Sequence, residues 1–269
     1  MSLSTDIVDK IGELRCGNRD FRTNAFFSTK QLISLIESSF VVINTSNQNC
    51  VVLLSEEEHL TRLYFYVKNT KSLKHLDSML HDYKKKPIIA DIIGKEVSIE
   101  ELSIELERSG FYRHNKLMRM SRKPQEFFGH PELNVIFAEK ENAGEIIDFL
   151  YSQFDIFTSQ LPSIEKVLEA IDKREITVVK QNNIVVGLAY FEPIGERMKY
   201  LYQIAVKENF RGKGIADNLL RYHFKHFAKD MSFQLWVETK NVPATKLYQK
   251  YGFIADGLMD NIMVYKRNS

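Results

Sequence analysis

The chain has few of the residues that define several common protein classes. Its two cysteines, Cys16 and Cys50, carry no pairing motif. Because small secreted folds depend on several paired cysteines, this scarcity argues against a disulfide framework and fits a reducing compartment. The cysteines and the seven histidines show no metal-ligand spacing, so we expect no metal site.

Long apolar stretches and an excess of one charge are absent as well. No run is long enough to cross a bilayer, and the N-terminus lacks the basic and apolar segments of a secretory signal. The 37 basic side chains nearly balance the 35 acidic ones, which gives a formal net charge of +2. We therefore expect a cytoplasmic protein with neither a membrane nor a nucleic-acid partner.

The composition is that of an ordinary globular protein, with 44% hydrophobic and 27% charged residues. The 269 residues are about enough for two domains of ordinary size. The segment from Ser121 to Pro131 contains two prolines, a glycine and several charges, which favours a boundary there. We therefore expect one domain over residues 1–125 and another over residues 131–269.

Apolar periodicity predicts alternating strands and helices in both halves. In the first half, the predicted strands are 40–44, 50–54, 63–67, 87–93 and 116–120, and the predicted helices are 28–38, 72–83 and 99–108. In the second half, the predicted strands are 134–138, 176–179, 184–191, 199–206, 233–237 and 262–265, and the predicted helices are 143–154, one from Ser163, one ending near Lys229, and 243–251. Residues 45–49 are predicted to be a hairpin turn. This order indicates an α/β fold in which each half is a mostly antiparallel mixed sheet flanked by helices.

The two halves look like a divergent internal repeat. Gly110-Phe111 follows a predicted helix and precedes the strand at 116–120. Gly252-Phe253 stands in the same place before the strand at 262–265. This echo favours duplication of one fold.

The segment Arg211–Ala216 joins an apolar strand to a helix and holds two glycines. Glycine lets the main chain approach a phosphate closely, and the free N–H groups of a first helical turn point at it. Arg211 and Lys213 add positive charge. We therefore expect this loop to bind the phosphates of a cofactor, which makes the chain a candidate enzyme.

Two signatures in the second half resemble those of the GNAT superfamily of acetyl-CoA-dependent N-acyltransferases. The pyrophosphate motif of that family is Arg or Gln, two residues, Gly, one residue, then Gly or Ala, which here is Arg211, Gly214 and Ala216. The second signature reads Asn241, Ala244, Leu247-Tyr248 and Gly252-Phe253. The resemblance covers residues 134–266. It implies transfer of an acetyl group from acetyl-CoA to a primary amine by direct attack in a ternary complex.

The resemblance also implies roles for individual residues around the coenzyme. In the family, the fourth strand splays from the fifth, and its unpaired main-chain groups bond the pantetheine arm. Carried over, these are the main-chain atoms of Ile204 and Val206. The residues expected around the diphosphate are Arg211, Gly212, Lys213, Gly214, Ala216 and Asp217.

Two side chains of the second signature have both a functional and a structural interpretation. Tyr248 would be the general acid toward sulfur, since a phenol is mostly protonated at neutral pH. The alternative is a core tyrosine on an apolar helix face. Asn241 would bond the pantetheine amides, and it is also well suited to cap the following helix.

The general base is where this chain departs from the family pattern. Many members place a glutamate on the fourth strand, and the corresponding position here is near Tyr200. The nearby carboxylates are Glu192, Glu196 and Glu238. Glu238 is preferred because it ends the fifth strand beside the splay. The simpler interpretation of each of the three is a surface charge, and a water chain is a further route for the proton.

The first half resembles the same fold only in the order of its strands and helices. The segment Lys68–Ser72 stands where the phosphate loop belongs, and it contains no glycine. Because a β-carbon hinders close approach of the main chain to a pyrophosphate, we expect a non-catalytic copy.

The acceptor is expected to be an amine on a small molecule or a peptide. The segment Phe154–Pro162, with Phe157 and Gln160, would cover its site in this fold, or else serve helix packing. Three alternatives stay open: a longer acyl-CoA, a protein that senses acyl-CoA without turnover, and a nucleotide-phosphate site. The identity of the acceptor is open because one fold serves many acceptors, and the oligomeric state is open too.

Overall fold

The structure, a computed structural model, describes residues 3–38, 40–43, 49–83 and 85–266. The predicted hairpin turn falls largely on residues 44–48, which lie outside the described residues. The chain divides into two compact units. Unit 1 runs to Leu117 and also takes the residues from Gly257 onward, and unit 2 covers residues 118–256.

The described helices and strands alternate along the chain. The first set is α1 (Leu3–Arg15), β1 (Arg22–Thr23), α2 (Thr29–Ser38), β2 (Phe40–Ile43), β3 (Cys50–Glu56), β4 (Thr61–Val67), a 3-10 turn (Thr70–His75), α3 (Leu76–Leu80), β5 (Ile88–Gly94), α4 (Glu96–Arg108) and β6 (Phe111–Arg122). The second set is β7 (Ile136–Phe137), a 3-10 turn (Lys140–Asn142), α5 (Ala143–Gln153), α6 (Ile164–Asp172), β8 (Ile176–Gln181), β9 (Ile184–Ile194), β10 (Met198–Val206), a 3-10 turn (Glu208–Phe210), α7 (Ile215–Phe227), β11 (Ser232–Glu238), α8 (Val242–Lys250) and β12 (Ile254–Tyr265).

Unit 1 is built on a mixed sheet in the order β2-β3-β4-β5-β12, with β1 against β4. The pairs β2–β3, β3–β4 and β5–β12 are antiparallel, and β4–β5 is parallel. Strand side chains alternate between the two faces, so each face has its own apolar cluster. One cluster packs against α3 and α4, and the other packs against α1 and α2.

Unit 2 is built on a mixed sheet in the order β11-β10-β9-β8-β7. Only β10–β11 is parallel among the pairs within this sheet that the structure describes. One face carries α7 and α8, and the other carries α5 and α6. Helix α7 shows why: Leu219, Leu220 and Phe224 recur at helical spacing and are all buried. The predicted α/β class with a mixed sheet is therefore confirmed.

The division of the chain differs from the predicted boundary between residues 125 and 131. The segment with linker-like composition is packed inside unit 2. The Arg122 side chain is 2% exposed, and its Nε donates to the Tyr251 carbonyl oxygen at 2.8 Å. The Gln125 N–H donates to the Ala228 carbonyl oxygen at 2.9 Å. The segment therefore has the composition of a linker but is held in place by hydrogen bonds within unit 2.

The last strand also differs from its prediction. β12 begins at Ile254, whereas the predicted strand begins at residue 262, because the first four residues of β12 are exposed and lack an apolar pattern. Its later residues pair with β5, from Met259 opposite Gly94 to Val264 opposite Ile89. The end of the chain thus completes the sheet of unit 1.

Three smaller elements differ from the sequence prediction or are absent from it. The segment 72–83, predicted to be one helix, is a 3-10 turn followed by the short α3, since the Asn69 side chain caps a tight turn by accepting from the Ser72 N–H at 3.2 Å. Helix α1 is absent from the prediction although Ile7, Ile11 and Leu14 recur at helical spacing and are buried, whereas β1 has only two residues, too few for a periodic signal.

Candidate active site

The parallel strands β10 and β11 separate partway along their length. They pair from Met198 opposite Ser232 to Tyr200 opposite Gln234. β10 stays paired with β9 as far as Val206, whereas β11 runs on to Glu238. A gap therefore opens between β10 and β11 beyond Tyr200.

The main-chain groups of Ile204 and Val206 face this gap. The Lys207 N–H donates to the Val186 carbonyl oxygen at 2.9 Å, so Lys207 faces β9. Hydrogen-bonded and non-bonded positions alternate along an antiparallel strand. Ile204 and Val206 therefore point their N–H and C=O groups toward β11. The Val206 carbonyl oxygen already accepts from Arg211 Nε at 3.1 Å.

The glycine loop follows directly at the end of β10. Gly212 and Gly214 have φ values of 75° and 73°, which side chains with a β-carbon adopt at a cost. Gly214 is the N-cap of α7 and offers no side-chain cap. The N–H groups of the first turn of this 13-residue helix are therefore available to an anion, and the helix dipole adds to the attraction.

The charged groups around the loop are partly engaged with the protein. Arg211 also donates to Gln153 Oε1 at 2.8 Å, and Lys213 Nζ lies 5.0 Å from the centroid of the Phe210 ring. The Asp217 carboxylate accepts from Arg221 Nε at 2.6 Å and pairs with Lys250. Any contribution of Asp217 to anion binding therefore comes from its N–H group.

The pKa of Asp217 reflects this pairing. Burial raises it, but the hydrogen bonds from Lys250 and Arg221 outweigh burial and hold the pKa of Asp217 below its usual value. The carboxylate is therefore ionised and matched by two cations, which limits its repulsion of a nearby phosphate.

Two residues without a predicted role hold the first turn of α7 in place. A β-carbon on Gly187 in β9 would clash with Ile215 Cγ2, so glycine permits the close approach of helix and strand. Asn218, 6% exposed, donates to the Gly214 carbonyl oxygen at 2.9 Å and accepts from the Leu133 N–H at 3.0 Å. A lone Asn on an apolar helix face gives no sequence signal for this role.

Tyr248 is a buried side chain of α8. It is 6% exposed and belongs to the apolar cluster that also contains Val237, Ile204 and Val206. Burial raises the pKa of Tyr248 above its ordinary value, so the phenol keeps its proton at neutral pH. Among the described residues, none forms a hydrogen bond with its hydroxyl. Tyr248 is therefore both a core residue and a side chain whose hydroxyl proton can be donated.

Asn241 caps α8, as its structural interpretation predicts. Its Oδ1 accepts from the Ala244 N–H at 3.1 Å, and the residue is exposed. The cap occupies the oxygen of the amide.

The three candidate carboxylates lie in different places. Glu196 lies in the turn before β10, at the end remote from the glycine loop, while the gap opens only beyond Tyr200. Glu192 is opposite Tyr200 in the β9–β10 pair. Glu238 ends β11, and its carbonyl oxygen accepts from the Asn241 N–H at 2.9 Å. Glu192 and Glu238 thus lie near the gap, and Glu196 lies away from it.

The segment predicted to cover the acceptor is tied to β10. A bulge between Leu201 and Gln203 breaks the register with β9. Tyr202 Oη donates to Gln160 Oε1 at 3.1 Å, and Gln203 Nε2 donates to the Gln160 carbonyl oxygen at 3.2 Å. Gln203 is 3% exposed, and its Oε1 has no partner among the described residues.

The described residues show two further negative features. They include no group of three or more His, Cys, Asp or Glu side chains placed to hold a metal ion. None of the helices seen in the described ranges combines the length and apolar character needed to cross a membrane.

Comparison with known proteins agrees with the geometry of unit 2. The family model described as Acetyltransferase (GNAT) family matches residues 144–253. The chain is 30% identical over 106 residues to the SPbeta prophage-derived uncharacterized N-acetyltransferase YokL of Bacillus subtilis (strain 168). That match covers 38% of this chain and 60% of the length of the relative.

Solved structures extend the likeness in fold to nearly the whole chain. A GCN5-related N-acetyltransferase from Sphaerobacter thermophilus aligns with a TM-score of 0.58 at 13% identity, over 91% of this chain and 95% of that one. A tandem GNAT protein from the clavulanic acid biosynthesis pathway aligns with a TM-score of 0.57 at 9% identity, over 98% and 96%. The predicted tandem of GNAT-like folds is confirmed at the level of the fold, and residues 144–253 of unit 2 are similar to the GNAT family of acetyltransferases.

Proposed function

We propose that unit 2 transfers an acetyl group from acetyl-CoA to a primary amine by direct attack, with both substrates bound together. The observation that carries this proposal is the gap between β10 and β11, which leads directly to an uncapped helix N-terminus with two left-handed glycines. A gap with free main-chain groups suits an amide-bearing arm, and the helix N-terminus suits a diphosphate.

The residues present fit the coenzyme. The main-chain groups of Ile204 and the N–H of Val206 face the gap, where they would bond the pantetheine amides, and the N–H groups after Gly214 would hold the diphosphate. Arg211, Gly212, Lys213, Ala216 and Asp217 complete this proposed binding set. When bound, acetyl-CoA supplies an acetyl group already activated as a thioester.

The proposed proton donor is Tyr248 Oη. Its raised pKa keeps the phenol protonated, and a general acid must hold its proton until the leaving group needs it. Its place in the same apolar cluster as Ile204 and Val206 favours this role. Asn241 Nδ2 is proposed to bond the pantetheine arm, because only the oxygen of its amide is used by the cap.

The proposed base is Glu238, at the end of β11 beside the gap. A neutral amine is required for attack, so a carboxylate at this rim would accept the proton directly or through water. No carboxylate occurs on β10 itself, whose sequence is Met-Lys-Tyr-Leu-Tyr-Gln-Ile-Ala-Val.

The missing carboxylate on β10 favours one rival, a protein that binds acyl-CoA as a sensor without turning it over. The rival predicts coenzyme binding and no thiol release with any amine. A longer acyl-CoA is a second rival on the same scaffold. The proposed location is the cytoplasm, since Cys16 and Cys50 are both free. The proposed acceptor is an amine on a small molecule or a peptide.

The test combines calorimetric titration with acetyl-CoA and release of free thiol with a panel of amines. Gly214→Val should abolish acetyl-CoA binding, because valine resists φ near 73° and blocks the approach of a phosphate. Gly195→Val is the matched control: its φ is 62°, it lies in the turn before β10, and nothing lies within 4 Å of the position that its β-carbon would take. Unchanged affinity in Gly214→Val would reject the phosphate assignment. Binding without thiol release would favour the sensor.

A further inference from the structure

Unit 1 contains a strand gap of the same kind as unit 2. The parallel strands β4 and β5 pair only at Thr61 opposite Ile88 and Arg62 opposite Ile89. β4 nevertheless runs on to Val67, and β5 runs on to Gly94. β3 pairs with β4 along its full length on the other side. The unpaired edge of β4 therefore faces β5.

The side chain of Asn24 bridges this gap. Its Nδ2 donates to the carbonyl oxygens of Leu63 on β4, at 2.9 Å, and of Asp91 on β5, at 3.3 Å. Its Oδ1 accepts from the Phe65 N–H at 2.8 Å. Asn24 is 7% exposed, so one buried carboxamide satisfies main-chain groups of both strands.

The residues before Asn24 continue the same edge. Arg22 pairs with Val67 and Thr23 pairs with Tyr66 in the antiparallel β1–β4 ladder. Thr23 Oγ1 also donates to the Phe65 carbonyl oxygen at 2.7 Å. Residues 22–24 thus take up the free edge of β4 from Leu63 to Val67.

The turn after β4 is closed as well. Asn69 is the N-cap of the 3-10 turn that follows, and its Oδ1 accepts from the Ser72 N–H at 3.2 Å. The same oxygen is 3.2 Å from Ser72 Oγ. In unit 2 the corresponding cap is Gly214, which brings no side chain.

We propose that residues 22–24 are the permanent occupant of the strand gap in unit 1, with the Asn24 carboxamide standing where unit 2 receives the amides of its coenzyme. The chain then has one coenzyme site, and unit 1 is a closed copy. The comparison with a coenzyme rests on the proposed function of unit 2, whereas the occupancy itself rests on hydrogen bonds within unit 1.

The closing experiment measures amide exchange by NMR and coenzyme stoichiometry by calorimetry. In the wild-type protein without coenzyme, the Phe65 amide should exchange slowly, because Asn24 Oδ1 accepts from it. Asn24→Ala should speed its exchange by about tenfold or more, since a buried donor then lacks a partner. Asn24→Asp keeps an acceptor for the Phe65 N–H but loses the donor to the two carbonyl oxygens. It should therefore speed exchange at Phe65 less than Asn24→Ala does. Asn134→Ala, at an exposed asparagine, is the control and should change nothing.

Titration of the wild-type chain with acetyl-CoA should give one site, with no added protection of residues 63–67. Two sites, or protection of those residues by coenzyme, would overturn the proposal. Fast exchange at Phe65 in the wild type would also overturn it, and this measurement decides even if the Asn24 variants fail to fold. If acetyl-CoA does not bind at all, the proposed function fails, while the exchange data still decide whether the gap is occupied.

Discussion

Gly187 lies so close to Ile215 that a single methyl group does not fit between them: a β-carbon on Gly187 would clash with Ile215 Cγ2. Ile215 is 2% exposed and β-branched, so its side chain has little freedom to move aside. We therefore expect Gly187→Ala to push the first turn of α7 away from β9. Urea unfolding should show a loss of about 1–3 kcal/mol, and calorimetry should show weaker acetyl-CoA binding.

Gly144→Ala is the matched control for this change. Gly144 lies in α5, and nothing lies within 4 Å of its β-carbon position. Alanine is the better helix former, so this variant should gain stability by up to about 1 kcal/mol and keep its affinity. Equal behaviour of the two variants would contradict the role given to Gly187.

Tyr248→Phe tests the proton donor. We expect kcat to fall by about 10²–10⁴-fold, the range for loss of a general acid, with little change in acetyl-CoA affinity. Tyr222→Phe, on the neighbouring α7, should leave kcat unchanged. Because burial raises the pKa of Tyr248, the wild-type rate should not begin to fall at the ordinary pKa of tyrosine, near 10. Full activity in Tyr248→Phe places the acid elsewhere.

Gln203→Leu tests the tie between β10 and the segment over the gap. Leucine removes the Nε2 donor to the Gln160 carbonyl oxygen and also the unpartnered Oε1. We expect amide exchange in residues 154–162 to rise and KM for the amine to rise several-fold, while acetyl-CoA affinity stays unchanged. Loss of coenzyme affinity instead would assign Gln203 to the coenzyme side of the gap.

Asp260→Asn tests a buried carboxyl of unit 1. Asp260 is 5% exposed, its Oδ1 has no partner among the described residues, and burial followed by the nearby Asp91 raises its pKa well above the usual value. When the pKa of an acid is higher in the folded state, its contribution to the free energy of unfolding is complete below the pKa of the unfolded state, near 3.9. That contribution is lost as the pH rises toward the folded-state pKa.

The asparagine variant removes this pH dependence. At pH 7 we expect Asp260→Asn to be more stable than the wild type by roughly 1 kcal/mol or more. At pH 4 the two should be nearly equal. Urea unfolding at both values provides the measurement, and a variant that is less stable at pH 7 would show that the ionised carboxylate is used by the fold.

The sequence predicted the parts of unit 2 whose signals are local. Two glycines with left-handed φ and the cap at Asn241 are dictated by a few neighbouring residues, so their pattern is readable along the chain. The general base cannot be predicted in this way, because only the positions of Glu192 on β9 and Glu238 on β11 distinguish these two carboxylates.

Neither the Asn24 bridge nor the division into compact units at Leu117 and Gly257 could be predicted from the sequence. Asn24 follows a two-residue strand with no periodic pattern, and its partners lie 39 to 67 residues away. Arg122 sits in a stretch of charges and prolines that resembles a linker, yet it is buried against the rings of Phe224 and Phe233. The composition of a segment indicates only its average exposure. A prediction from composition is therefore wrong where a single long-range contact buries a residue.

The pairing of β12 with β5 has a consequence for biosynthesis. The residues of unit 2 are synthesised before those from Gly257 onward. The sheet of unit 1 therefore cannot be completed during synthesis until the β12 residues that pair with β5 have left the ribosome. Cutting the gene between the halves at residue 125 or 131 would deprive the N-terminal fragment of that strand. Fragments designed to carry unit 1 must therefore supply residues 257–266, for instance by circular permutation.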